Sequence, residues 1–196
     1  MNMPKNENNV LLCTQKGYCQ KQSLVSLKKI HTPPFETTDY EFGKYMSFFL
    51  HLAPDISSSH SFSVSECEKE KLFEEMLHSR RFKTEEFCSS NSKIEKHLSK
   101  VGLQGNSLCL KCKRFVCKKK PSQNGVAESK LDCFLRHIRN SIAHGNVHYD
   151  HAGNKILVLF DDYNVKNLSA RIVCLRADLE HWYNVLKNAK IKQAEK

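Results

Sequence analysis

No stretch of this 196-residue chain approaches the roughly 18 consecutive apolar residues that a membrane-spanning helix requires. The opening residues, MNMPKNENNV, lack the basic end followed by an apolar run that marks an export signal. The chain is therefore expected in the cytoplasm, with no membrane partner. Acidic residues are scarce: 21 Asp and Glu stand against 31 Lys and Arg, a formal net charge of +10. That imbalance favours a polyanionic partner, of which nucleic acid is the commonest. No internal repeat and no long low-complexity tract interrupts the sequence, which suits one domain, with or without an arm.

What is present can build a core: 40% of residues are hydrophobic and 27% charged, a balance that argues against wholesale disorder. Nine cysteines would suggest a disulfide framework, but the number is odd and no export signal precedes them, so reduced thiols are expected. Cys133 and Cys174 sit at spacings that read as buried and helical, where a thiol behaves as a small hydrophobe.

Residues 1–36 read as an arm that closes on Pro33 and Pro34, with a short strand or helix near Leu24–Ile30, and residues 37–196 read as a single domain. From Asp39, the spacing of Phe42, Tyr45, Met46, Phe49 and Leu50 predicts a helix capped by Asp39 and stopped by Pro54. A Ser-rich loop over 55–65 leads to Ser65 and Glu68, a capping box that opens a second helix carrying Leu72, Phe73, Met76 and Leu77. Ser92 and Glu95 repeat the device ahead of Ile94, Leu98 and Val101, and Gly102 or Gly105 stops that third helix. A basic, cysteine-containing segment from Leu108 to Lys120 follows and breaks at Pro121–Gly125. Ser129 and Asp132 open a fourth helix with Leu131, Phe134, Leu135, Ile138 and Ile142 on one stripe, and Gly145 ends it. The period then changes to two: Val147–Tyr149, a turn at His151–Asn154 and Ile156–Phe160 predict a small hairpin, with Ala170–Leu175 as a third strand. A last helix from about Asp178 carries Leu179, Trp182, Tyr183 and Leu186. The expected fold is mainly α, a helical bundle with a small antiparallel hairpin or three-stranded appendage after the fourth helix.

That fourth helix carries the chemistry. At about 100° per residue, Leu135, Ile138 and Ile142 fall within roughly 40° of Leu131, so this face is buried. Arg136, His137, Arg139, Asn140 and His144 spread over the remaining arc. Arginine offers a planar fork matched to phosphate oxygens, and histidine titrates near neutrality and can act as acid or base. Asn140 lies one turn before His144, so its amide is placed to orient the imidazole. These groups suit RNA cleavage by internal transfer without a metal. A base takes the ribose 2′-OH proton, arginine stabilises charge on the phosphoryl oxygens, and an acid protonates the leaving 5′-oxygen. Five residues of helix rotate Arg139 and His144 about 140° apart, which a site shared between two copies of the chain accommodates more easily.

The string FLRHIRNSIAHG at 134–145 resembles the signature of the HEPN superfamily of ribonucleases, toxins and phage-defence effectors: an Arg, a polar residue (often Asn), and a His after four to six intervening residues. Arg139, Asn140 and His144 match it; a second Arg-to-His spacing, Arg176 to His181, lies among Asp178 and Glu180 and lacks the Asn. The motif covers six residues, and a looser likeness, including the strand-bearing tail of small plasmid-borne members, runs from Ser129 to Leu186. The resemblance implies a helical bundle, a homodimer whose paired Arg–His sets form a metal-independent RNA-cleaving cleft, and a toxin or antiviral role with an antitoxin or trigger protein as partner. Members silenced by a nucleotidyltransferase carry Tyr two residues after the His. Here that position is Asn146, so silencing there is not supported, although Tyr149 is close. The contrasting expectation is a non-catalytic RNA-binding or protein-interaction module on the same fold.

Other clusters compete for attention. Cys109, Cys112 and Cys117 form C-x2-C-x4-C, whose first pair has zinc-ligand spacing. No second C-x2-C follows, and Cys88, Cys133 or a His would have to complete four ligands, so three reduced cysteines on a basic helix or loop is the favoured reading and no cofactor is expected. His144, His148 and His151 straddle a helix end and a strand, which argues against a shared metal. Lys111, Lys113, Arg114, Lys118, Lys119 and Lys120 form a basic run suited to RNA backbone, with Phe115 available to stack and Arg136 and His137 as supporting contacts.

Overall fold

The computed structural model describes residues 24–26, 28–29, 40–52, 65–78, 82, 84–104, 107–109, 113–122, 124–152 and 155–194. In chain order the elements are β1 (Leu24–Ser26), β2 (Lys28–Lys29), α1 (Tyr40–Ser47) with a π-helical turn (Phe48–Leu52), α2 (Glu66–His78), β3 (Thr84–Cys88), α3 (Ile94–Val101), β4 (Ser107–Cys109), β5 (Arg114–Lys118), α4 (Lys130–Ala143), β6 (Val147–Ala152), β7 (Lys155–Asn164), β8 (Asn167–Leu175) and α5 (Arg176–Ala194). The expected features at Asp39, Pro54, most of the Ser-rich loop, Gly105 and most of the arm lie outside the described residues.

The mainly helical bundle is not what forms. Strand makes up 27% of the described residues, too much for an appendage, and the fold is α/β. A six-stranded mixed sheet runs in the order β2-β6-β7-β8-β5-β3, and β1 pairs with β4 separately. The expected hairpin and third strand are its middle, β6-β7-β8. β5 extends that middle antiparallel to β8, and β3 then adds parallel to β5. The reason β5 escapes sequence reading is its burial: Arg114, Phe115, Val116 and Cys117 are buried in succession, so the strand shows no apolar–polar alternation. Cys174 is buried as expected, but in β8 rather than in a helix.

Local capping explains where the helices begin and end. Ser65 and Glu68 form the reciprocal box: the Glu68 amide donates to Ser65 Oγ at 3.2 Å, and the Ser65 amide donates to Glu68 Oε2 at 3.0 Å. Ser129 Oγ accepts from the Asp132 amide at 3.0 Å and starts α4. Ser92 does not cap α3; its hydroxyl turns back to the Ser89 carbonyl at 2.7 Å, and Lys93 stands at the N-cap.

The sheet separates two cores. On one face, Phe115, Cys117, Val158, Phe160, Ile172 and Cys174 pack against α1, α2, α4 and α5. On the other, Val116, Leu157, Leu159 and Val173 pack against α3 through Ile94, Leu98 and Val101. Phe134 locks α4 into the larger core, with ring centroids 4.9 Å from Phe115, 5.1 Å from Trp182 and 5.6 Å from Phe73. Trp182 in turn donates its indole N–H to the Met76 carbonyl at 3.0 Å, tying α5 to α2. Among the described residues no helix is long and apolar enough to cross a membrane.

Two arginines fasten α3 to the sheet. Arg114 is 2% exposed and donates to the carbonyls of Val101 and Gly102, at the negative end of α3. Gly102 has φ +69°, and a Cβ there would lie 2.8 Å from Arg114 Nη1, so both backbone and space require glycine. Arg171 grips its cross-strand neighbour Asp161 through two bonds of 2.8 and 2.7 Å and donates to the Leu103 carbonyl at 2.9 Å. Removing the carboxylate leaves that guanidinium buried without its counter-charge. Asp161→Ala should therefore lower unfolding free energy by about 3–5 kcal/mol in urea titration, and a loss below about 1 kcal/mol would show the pair to be dispensable.

Candidate active site

The face of α4 opposite Phe134 and Leu135 does not stand open to solvent as the sequence suggests. His137 is 1% exposed. Its Nε2 lies 2.8 Å from the carbonyl of Lys118, which can only accept, so Nε2 donates a proton. Its Nδ1 lies 2.6 Å from Asp162 Oδ2 in β7. Burial works against charge on this ring, but the Asp162 carboxylate and the Cys133 thiol outweigh it and raise its pKa above 6.5, against a smaller opposing push from Arg136. Nε2 donates to the Lys118 carbonyl, and the short contact of Nδ1 with the Asp162 carboxylate favours the charged form of the ring. The ring joins α4 to β5 and to β7.

The neighbours of His137 are placed by the same network. Asn140 Nδ2 donates to the same Asp162 oxygen at 3.2 Å, so its amide is turned to the sheet, and what it orients is the carboxylate. Arg136 makes a two-pronged pair with Glu128, at 2.6 and 2.9 Å, and donates to the Lys118 carbonyl at 3.0 Å. Burial raises the Glu128 pKa, yet the Arg136 bond and the Lys120 amide prevail and lower it. Neither Asp162 nor Glu128 emerges from reading the motif. The signal for the first was present in ILVLFDDY, two carboxylates inside an apolar strand, which require buried partners.

A cavity of 510 Å³ opens where this end of α4 meets the ends of β5, β7 and β8. Asn140 and His144 line it from α4, over a floor made by His137 and Asp162. Lys118, Lys119 and Lys120 line it from the end of β5. His144 is the C-cap of α4, with φ −96° and ψ 8°, a sparsely used backbone region where active-site residues recur. Gly145 follows at φ +62°, and the Gly145 and Asn146 amides donate to the carbonyls of Ile142 and Ser141, so the backbone from which the exposed His144 side chain projects is fixed. Arg139 is exposed and does not line the cavity. One chain thus brings together Asn140 and His144 and leaves Arg139 on the outer face of the helix.

The remaining expected contacts divide. Lys113 pairs with the buried Asp178 at 2.7 Å, Arg114 is internal, and Lys111 and Cys112 lie outside the described residues. Lys119 Nζ donates to the Glu128 carbonyl at 2.9 Å and Lys120 is exposed. Phe115, held ready to stack, is fully buried. Cys117 is also fully buried and packs on the face of the sheet opposite Cys88, so these two thiols do not converge, and of Cys109 only the backbone, in β4, is described. Among the described residues no group of three or more His, Cys, Asp or Glu side chains is arranged to hold a metal ion.

A family model described as HEPN pEK499 p136 matches residues 1–193, nearly the whole chain. No curated protein and no solved structure matches.

The raised pKa of His137 makes stability depend on pH with a definite sign. Because the folded pKa of His137 is raised, its contribution is complete below the unfolded value near 6.5 and is lost as pH rises through the folded one. The wild type should exceed His137→Gln by about 2 kcal/mol in urea at pH 6, and the gap should shrink at alkaline pH. A gap that does not change with pH would mean that the buried ring is neutral.

Proposed function

Because the chain belongs to the HEPN pEK499 p136 family, we propose that it is an endoribonuclease that cleaves RNA without a metal ion. Membership alone supports a nuclease or RNA-related function in general; the cationic cleft at the end of α4 supports the narrower reading. The observation that carries it is the meeting of Asn140 and His144 with Lys118, Lys119 and Lys120 around one cavity large enough for a nucleotide. The lysines hold the RNA backbone beside the imidazole. His144 takes the proton of the ribose 2′-OH, or delivers one to the departing 5′-oxygen, as the 2′-oxygen bonds to phosphorus and the bond to the 5′-oxygen breaks. The products are a 2′,3′-cyclic phosphate and a 5′-hydroxyl. Asn140, through Asp162 and His137, is a positioning residue that holds the last turn of α4.

Arg139 supplies the guanidinium that stabilises charge on the phosphoryl oxygens. Since it does not line the cavity of its own chain, a homodimer in which each copy lends Arg139 to the other's cleft completes the site. In the cell such an activity suits a toxin or antiviral effector held in check by an antitoxin or released by a trigger protein. The outward position of Arg139 also favours a second reading, in which the chain binds RNA at the lysine-rich cleft and cuts nothing.

Purified protein incubated with cellular RNA in EDTA separates the two. Cleavage leaving cyclic phosphate ends should fall about 100-fold or more in His144→Ala and in Arg139→Ala, both remaining folded. Activity that survives in His144→Ala would remove this histidine from the chemistry. RNA bound but left intact by every form would favour the binding module.

A further inference from the structure

The cleft has a second wall on which the cleavage chemistry makes no demand. Beside the lysines, the ends of β7 and β8 contribute Asn164 and Ser169, neither of them charged. A carboxamide and a hydroxyl each offer both a donor and an acceptor. A phosphate asks only for donors, whereas the edge of a nucleobase presents both kinds of group.

The backbone is adapted at this point. Asp162 pairs with Ala170, but the next pair is Tyr163 with Leu168, so Ser169 is an extra residue with no partner across the ladder. Such a bulge re-aims side chains, and bulges concentrate beside active sites. Here the bulged residue, Ser169, itself lines the cleft. Asn164 sits two residues beyond Asp162 on the same strand and therefore on the same face, about 6.6 Å further along. Asp162 anchors His137 and Asn140, so the position of Asn164 relative to the motif helix is fixed through a rigid strand. Tyr163 between them also lines the cleft, and its hydroxyl is tied to Asp161 at 3.4 Å.

We propose that Asn164 and Ser169 form a base-recognition subsite that selects the nucleotide beside the phosphate held at His144 and the lysines. The ligand is an unpaired RNA nucleotide: the base reaches this wall by its hydrogen-bonding edge, which in a duplex is already engaged. The inference rests on the proposed RNA-binding cleft, but recognition of the base does not require that cleavage occur.

The test uses the full chain and short single-stranded RNAs identical except for one central nucleotide. Their affinities are measured by fluorescence anisotropy in the His144→Ala background, and their cleavage rates in the wild type. The His144→Ala protein should bind the preferred nucleotide about ten-fold more tightly than the least preferred, and adding Asn164→Ala or Ser169→Ala should reduce that ratio towards one. Asn164→Asp, which removes the donor and keeps the acceptor, should shift the preference towards the bases that present an exocyclic amine, A, C and G, and away from U. Equal affinity for all four nucleotides, or a preference unchanged by Asn164→Ala and Asn164→Asp in folded protein, would overturn the subsite. Wild type that cleaves none of the RNAs would overturn the nuclease reading, and the binding ratios would still decide the subsite.

Discussion

The imidazole of His137 makes hydrogen bonds in two directions, to a backbone carbonyl at the end of β5 and to a carboxylate on β7, while its own backbone belongs to α4. Those three elements are three of the four whose ends border the cleft, β8 being the fourth. Arg136 reaches the same Lys118 carbonyl, and Asn140 reaches the same Asp162 oxygen, so each neighbour that borders the cleft is measured from one ring. Charge matters here as much as geometry. A bare buried carboxylate and a bare buried imidazolium would each be costly. Paired, each removes the other's defect, and the cleft stays cationic through Lys118, Lys119 and Lys120. The same logic operates at Asp161 and Arg171 on the opposite face, where a second pair inside the sheet fastens α3.

How far the sequence discloses this arrangement depends on whether the information is local. The N-cap at Ser129, the box at Ser65 and Glu68, the stop at Gly145 and the strands after it are written within a few residues, and the chain forms them. The motif is local too, which is why Arg139, Asn140 and His144 stand out. The sheet's other half is not local. β3 and β5 pair in parallel across a connection that contains α3, and nothing in TEEFC or RFVCK announces the other. Burial on both faces removes the alternation from β5, and its cysteine and basic ends suggest zinc and RNA instead. A periodicity argument sees a strand only where one face is wet. Hence a mixed sheet looked like an appendage.

The burial of His137 escapes a sequence reading for a related reason. A helical wheel divides residues into an apolar stripe and the rest, and assigns the rest to solvent. It cannot register that β5 and β7 close over part of the polar arc. The polar residues that end up enclosed, His137 and Ser141, have acceptors waiting: Ser141 Oγ donates to the His137 carbonyl at 2.7 Å, and His137 uses both ring nitrogens. Asn140, only partly enclosed, has its own bond to Asp162. Enclosed polar groups on a helix thus point to the strand that must satisfy them, and FDDY was the available partner. Sequence reasoning that asks where each such group finds its counterpart would have linked His137 to Asp162 before any fold was known.

The separation of Arg139 from His144 follows from how firmly α4 is held. A looser helix could turn to bring both to one side, but Phe134 is wedged among Phe73, Phe115 and Trp182, and His137 is bonded to two strands. Rotation by the about 140° that separates the two residues would break every one of these contacts. Nor can the terminus unwind cheaply, because the turn beyond Ala143 is closed by the amides of Gly145 and Asn146. The rigidity that presents His144 to the cleft is therefore the same rigidity that keeps Arg139 out of it. Arg139 and Ala143, one turn apart, both stand exposed on the outer face of α4, away from the contacts that hold the helix in place.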